Sequence, residues 1–316
     1  MNKQLSIMVF VLFWSMLTVL SDDAQESIPK DIADYFEERA FQYTSGKYQD
    51  ADIVYRLHTP NTIRYGRKYP LVIHLHGLGE AGSDNTLSLL HFHSILPMLV
   101  GPKSEDFFML VVQCPSESPH WQFQSAKDGT FDVLMAVMEH VIAENPIDKK
   151  RLTVTGVSSG GWGVWELISR CPDLFAGAVP TASSAPSHIS RLSALKRMPI
   201  WAFVNKGDTL IDPESVRVAT RMVNSSGGSM ALTECDSPGH NAWCPAMETY
   251  DGLRWMLAQK RGSWFSPPPG MTVHKPRSIL ATTFMFFIPF AIIGLLSWGT
   301  VYTYVFNAFQ MIRNQF

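Results

Sequence analysis

Between residues 22 and 262, short apolar runs alternate with stretches whose apolar residues recur every three or four positions. The runs Ile53–Leu57, Leu71–Leu75, Phe107–Gln113, Leu152–Val157, Gly177–Pro180, Ile200–Asn205 and Met230–Glu234 read as strands. Several are almost continuously apolar, as strands covered on both faces should be. In Phe131–Ile142 the residues Phe131, Leu134, Met135, Met138, Val141 and Ile142 fall on one side of a helix, and Asp128 is placed to cap its start. Trp162–Ser169, Pro213–Asn224 and Ala246–Leu257 read as later helices. Strands alternating with helices predict one α/β domain, a mostly parallel sheet with helices on both faces.

Two apolar runs lie outside this pattern. Leu5–Leu20, behind Lys3 and ahead of Ser21-Asp22-Asp23, has the layout of a signal peptide, residues 1–21, cleaved after Ser21. An uncleaved signal anchor is the alternative. Ile279–Phe306 is almost uncharged and longer than the roughly 20 residues needed to span lipid. It reads as one C-terminal transmembrane helix, 279–306, behind a Pro-rich linker, 263–278, and ahead of a short tail, 307–316. A glycolipid-anchor signal ranks second, because the chain ends in polar residues. The catalytic body is then lumenal or extracellular, a single-pass membrane protein. The flanking Lys275 and Arg277 against Arg313 favour the opposite orientation under the positive-inside rule, and the leader is taken to decide.

These ends account for the composition, 46% hydrophobic and 17% charged, against roughly 25% charged in average soluble domains. A net charge of -2 argues against a phosphate-binding surface, so nucleic acid is not an expected partner. An oxidising compartment would permit disulfides among Cys114, Cys171, Cys235 and Cys244; Cys235 and Cys244 close the shortest loop and make the most natural pair. Buried thiols are the other possibility. Asn224-Ser225-Ser226 is a glycosylation sequon.

The chemical signal is Gly156-Val157-Ser158-Ser159-Gly160, a G-x-S-x-G sequence between a strand and a helix. A serine hydroxyl needs a base to take its proton, and the base needs an orienting acid. Downstream of Ser158 stand His188, His240 and His274. His240, in a loop between strand and helix, is the best base. Asp208, just beyond the strand Ile200–Asn205, is the best acid. Asp212 is second choice, since it precedes Pro213 and resembles a helix cap. The oxyanion of acyl transfer calls for two donors: the N–H of Ser159, and that of Leu78 in the turn after Leu71–Leu75. His74, His76, His91 and His93 read as structural or solvated, and no metal or other cofactor is expected.

The sequences His76-Gly-Leu-Gly-Glu-Ala-Gly82 and Gly156-Val-Ser-Ser-Gly-Gly161 together resemble the phospholipase/carboxylesterase branch of α/β-hydrolases. That branch includes acyl-protein thioesterases and the predicted-peptidase and polyhydroxybutyrate-depolymerase-like esterases. Val112-Gln-Cys-Pro115 with Trp121, Ile147–Arg151 and Gly239–Trp243 extend the resemblance over about residues 50–258. It implies an α/β-hydrolase fold with nucleophile Ser158, acid Asp208, base His240 and oxyanion donors Leu78 and Ser159. It also implies that Trp121 lines the acyl pocket. The chain departs from the family where Val204-Asn205 replace a His-Gly pair ahead of the acid. The implied activity is hydrolysis of a small-molecule or lipid carboxylic ester or thioester. A serine peptidase and a catalytically silent binding protein of the same fold are the alternatives.

Overall fold

Strands buried on both faces form the centre of the molecule. A computed structural model describes residues 30–100, 104–115, 121, 129–186, 195–196, 198–237 and 239–262. Its strands are β1 (Glu37–Tyr43), β2 (Ala51–His58), β3 (Tyr69–Leu75), β4 (Phe108–Val112), β5 (Ile147–Val157), β6 (Gly177–Thr181), β7 (Pro199–Asn205) and β8 (Ser229–Cys235). They form one sheet in the order β1-β2-β4-β3-β5-β6-β7-β8. Every pairing from β4 to β8 is parallel, and β1-β2 and β2-β4 are antiparallel.

Side chains alternate across this sheet with the period of two that a pleat imposes. In β3 and β7, Leu71, Ile73, Leu75, Ile200, Ala202 and Val204 enter one core, whereas Val72, Trp201 and Phe203 enter the other. The first core is covered by helices α1 (Thr130–Glu144), α2 (Ser159–Arg170) and α3 (Pro213–Ser225). The second is covered by α4 (Gly252–Ala258) and the turns around Phe92 and Trp243. The expected layering is therefore present.

Four local expectations change. β1 escaped notice because its sequence, EERAFQY, is largely polar; it is an edge strand, tied to β2 in part by an Arg56–Glu38 ion pair of 2.6 Å. The helix expected over Ala246–Leu257 is broken. A π-helical turn, Pro245–Thr249, ends at Tyr250, and Asp251 takes a left-handed φ of 57° before α4 begins. Gly252 fits there because a Cβ would lie 2.9 Å from the Ala246 carbonyl oxygen. The N-cap of α1 is Gly129 rather than Asp128. Finally, all four cysteines are thiols, so Cys235 and Cys244 are not paired. Cys235 ends β8 opposite Asn205, while the Cys244 sulfur accepts a hydrogen bond from Asn241.

Among the described residues no helix is long and apolar enough to cross a membrane. The expected leader, 1–21, linker, 263–278, and span, 279–306, lie outside the described residues, as do His188 and His274.

Candidate active site

The strand order sets the place of the site. β3 lies between β4 and β5, so the chain leaves β3 toward one side and returns on the other. Crevices form beyond the carboxyl ends of strands at such a reversal. Leu78 follows β3, Ser158 follows β5, Ser183 follows β6, Asp208 follows β7 and His240 follows β8.

Ser158 sits on a turn with φ 56° and ψ -116°, outside the regions open to ordinary L-residues. Such a conformation costs on the order of 1–3 kcal/mol and persists only where the surroundings enforce it. Here they are visible. The Ser158 N–H donates to the Thr181 carbonyl at 3.0 Å, and the Ser158 carbonyl accepts from Trp162 N–H at 2.9 Å, starting α2. A Cβ on Gly160 would lie 1.9 Å from the Leu75 carbonyl oxygen, and one on Gly156 would lie 2.6 Å from the Gly160 backbone. The bare glycines let α2 begin directly after the serine, three residues earlier than Trp162, hard against the end of β3.

Asp208 and His240 converge on this serine. Asn205 Nδ2 donates to the Gly239 carbonyl at 2.9 Å, holding the histidine loop to the end of β7. That contact gives a use to the residue at which the chain departs from its resembling family. The Asp208 carboxylate is fully buried, and its Oδ1 accepts from Leu210 N–H at 2.9 Å. The His240 Nδ1–H donates to Asp208 Oδ2 at 2.7 Å, and the Ser158 hydroxyl donates to His240 Nε2 at 2.8 Å. The tautomer follows from the carboxylate, which only accepts. Asp212 caps α3, its Oδ1 accepting from Glu214 N–H at 3.0 Å, and Asp236 pairs with Lys206 at 2.7 Å on the surface. Neither approaches the histidine by any hydrogen bond among the described residues.

Ser158 opens into a cleft of about 330 Å³ lined by Leu78, Ser159, Trp162, Ser183, Ser184 and Ile211. Both expected oxyanion residues are thus on the wall beside the serine. Trp121 is not among those lining residues. It is 1% exposed, packs against Gly163 and donates its indole N–H to the His76 carbonyl at 3.0 Å. It thereby ties the turn after β3 to the core. Trp162 takes the aromatic place on the wall, 36% exposed, at a position sequence periodicity assigns only to a helix. Ser183 and Ser184 were missed because nothing in the run after β6 marks them.

The turn bearing Leu78 is built from titratable groups held neutral. His76 Nε2 accepts from Cys114 N–H at 2.9 Å, so its Nδ1–H donates to the Gly77 carbonyl at 2.6 Å. Burial lowers its pKa to about 4. Glu80 Oε1 accepts from Gly77 N–H at 3.2 Å, and burial pushes the carboxyl up to about 8, against that bond. His74, wedged between Phe92 and Trp243, is also kept neutral by burial, its pKa well below the usual range. Asn224, the sequon residue, exchanges two 2.8 Å hydrogen bonds with the Met230 backbone through its carboxamide.

The fold is similar to that of several known proteins. The prolyl oligopeptidase family model matches residues 120–188. A thermostable esterase is 28% identical, with a TM-score of 0.64 over 73% of this chain and 64% of its own. The chain therefore spans less than two thirds of that esterase. An acylaminoacyl peptidase of Pyrococcus horikoshii is similar with a TM-score of 0.54 and 13% identity, over 78% of this chain and 44% of its own. A fluorophosphonate-binding serine hydrolase of Staphylococcus aureus gives 0.53 and 14%, over 70% and 98%. At those two identities the likeness is one of fold. No curated protein matches the chain.

Proposed function

Since the chain belongs to the α/β-hydrolase superfamily, in its esterase and peptidase branch, we propose that it hydrolyses carboxylic esters or thioesters through an acyl-enzyme intermediate. The observation that carries this reading is the unbroken hydrogen-bond relay Asp208–His240–Ser158, at 2.7 and 2.8 Å, opening into a cleft. His240 Nε2 takes the serine proton as Oγ attacks the acyl carbon. Asp208 orients the ring and stabilises the imidazolium that forms. The backbone N–H groups of Leu78 and Ser159 receive the oxyanion, each such donor being worth about 3–4 kcal/mol in the transition state. His240 then protonates the leaving oxygen or sulfur, and water releases the acyl group by the same base. None of these steps calls on a cofactor.

The cleft, about 330 Å³, is near the small end of ligand pockets, and Leu78, Trp162 and Ile211 give it an apolar wall. A short acyl group suits it. A peptidase is the second reading, favoured by the family match over residues 120–188, since the same relay can protonate a leaving amine. The test is a panel of short-chain esters, thioesters and aminoacyl amides, hydrolysed by the wild type and by Ser158→Ala. We expect ester or thioester turnover that the substitution abolishes. Turnover of amides alone selects the peptidase, and activity surviving in the variant rejects both.

The leader at 1–21 and the apolar stretch at 279–306 further support a domain tethered to a membrane on its lumenal or outer side. Alkaline extraction and protease protection of intact vesicles test that placement. A chain released by alkali, or a domain protected on the cytoplasmic side, contradicts it.

A further inference from the structure

A second cluster of chemistry-bearing side chains lies beside the histidine loop and has no part in the relay. His93 comes from the turn Phe92–Ile95, after β3. Cys244 and Glu248 come from the start and body of the π-helical turn, Pro245–Thr249. Each offers one ligand atom, and the three atoms lie within 4.8 Å of one another. The His93 Nε2 is 3.9 Å from the Cys244 sulfur and 3.7 Å from a Glu248 carboxylate oxygen. Ligands on a tetrahedral zinc ion, at about 2.0–2.3 Å from the metal, stand roughly 3.3–3.7 Å apart. The two His93 separations need close by only a few tenths of an ångström, and the Cys244–Glu248 pair lies within 4.8 Å.

We propose that His93, Cys244 and Glu248 bind a zinc-class divalent ion that fastens the His240 loop to the Phe92–Ile95 turn. Three features beyond proximity support this. Neutral imidazole, thiolate and carboxylate together balance a dipositive ion. Sulfur and nitrogen donors select zinc over calcium or magnesium, which take oxygen. The sulfur is also oriented in advance. Asn241 Nδ2 donates to it at 3.1 Å, while Asn241 Oδ1 accepts from the Trp243 and Cys244 N–H groups at 3.0 and 3.1 Å. That carboxamide holds the outer shell a metal-bound sulfur ordinarily requires. On binding, the S–H bond of Cys244 breaks, a sulfur–metal bond forms and the proton leaves to solvent. Water fills the fourth position, since His93 and Glu248 are about half exposed at 49% and 51%.

Sequence spacing concealed the site. His93 and Cys244 are 151 positions apart, and only Cys-x-x-x-Glu is local. The alternative is an ordinary surface contact between His93 and Glu248, with no ion.

The test is a titration of the full chain, purified in detergent with its cysteines reduced, using Co²⁺ as a coloured stand-in and then Zn²⁺ as competitor. We expect one Co²⁺ per chain, a near-ultraviolet sulfur-to-metal charge-transfer band, and its displacement by Zn²⁺. Cys244→Ser should remove the band. His93→Ala and Glu248→Gln, at exposed positions that circular dichroism can verify as folded, should each weaken Co²⁺ binding by about 10–100-fold. The absence of stoichiometric binding overturns the site. So does a charge-transfer band, or an affinity, that His93→Ala and Glu248→Gln leave unchanged. The readout is independent of turnover, so failure of the hydrolase reading leaves it intact.

Discussion

At the scale of single residues, the relay places strict demands on a few atoms. Asp208→Asn presents an N–H where His240 Nδ1 needs an acceptor, so the imidazole turns its remaining proton toward Ser158 and stops being a base. The kcat for ester hydrolysis is expected to fall about 10⁴-fold while the fold persists. Steady-state kinetics and circular dichroism check this, and a loss below tenfold would remove Asp208 from its role. Gly160→Ala drives a Cβ to 1.9 Å from the Leu75 carbonyl oxygen and 2.6 Å from that of His76, both backbone atoms. Destabilisation of about 3 kcal/mol or more is expected in urea unfolding; a neutral result would mean the turn is looser than described. Ser158, Asp208 and His240 were legible in the sequence because motif, strand end and chain order each restrict one of them. The cleft wall was not. Trp162, Ser183 and Ile211 meet there only through the packing of distant elements, and Trp121 carries an aromatic ring that serves the core as readily as a pocket.

Among elements, the turn after β3 is the one whose electrostatics matter most. Glu80 is buried at 5% exposure and accepts from Gly77 N–H, next to Leu78 in the turn. Its carboxyl titrates near 8 in the fold against an ordinary value of 4.5. Across that window the unfolded chain ionises while the folded chain keeps its proton. This group's contribution is therefore full below 4.5 and is lost as pH rises to about 8. Glu80→Gln keeps an acceptor for Gly77 and does not titrate. The melting temperature of the variant should gain on the wild type between pH 5 and pH 8, and a constant difference would contradict the buried, neutral carboxyl. A glutamate in a Gly-rich turn gives no hint of this burial in sequence. Strands β2 to β8 were legible because most of them are nearly continuous apolar runs, which the sheet buries. β1 and the break at Asp251 were not, since an edge strand tolerates polar residues and a left-handed turn can rest on one aspartate.

For the whole molecule, the histidines that burial keeps neutral work in the opposite sense. His58, His74 and His76 are all lowered by burial, His76 from 6.5 to about 4. A lowered histidine contributes stability that is present above 6.5 and lost as pH falls toward the folded value. For His76 alone the shift amounts to on the order of 3 kcal/mol. Acidification from pH 7 to pH 4 should therefore lower the melting temperature steeply despite the counter-trend from Glu80, and a flat profile would contradict it. The disulfide expectation failed at this scale too. Shortness of the intervening loop favoured Cys235 with Cys244, but one ends a strand in the core and the other faces Asn241 across the histidine loop.

The central claim is that Ser158 is an activated nucleophile. Reaction with a fluorophosphonate, followed by peptide mapping, tests it before any substrate is chosen. The account predicts one adduct on the peptide containing Ser158, absent from Ser158→Ala and strongly slowed in Asp208→Asn. A folded wild type that takes up no label, or takes it up on another residue, would contradict it.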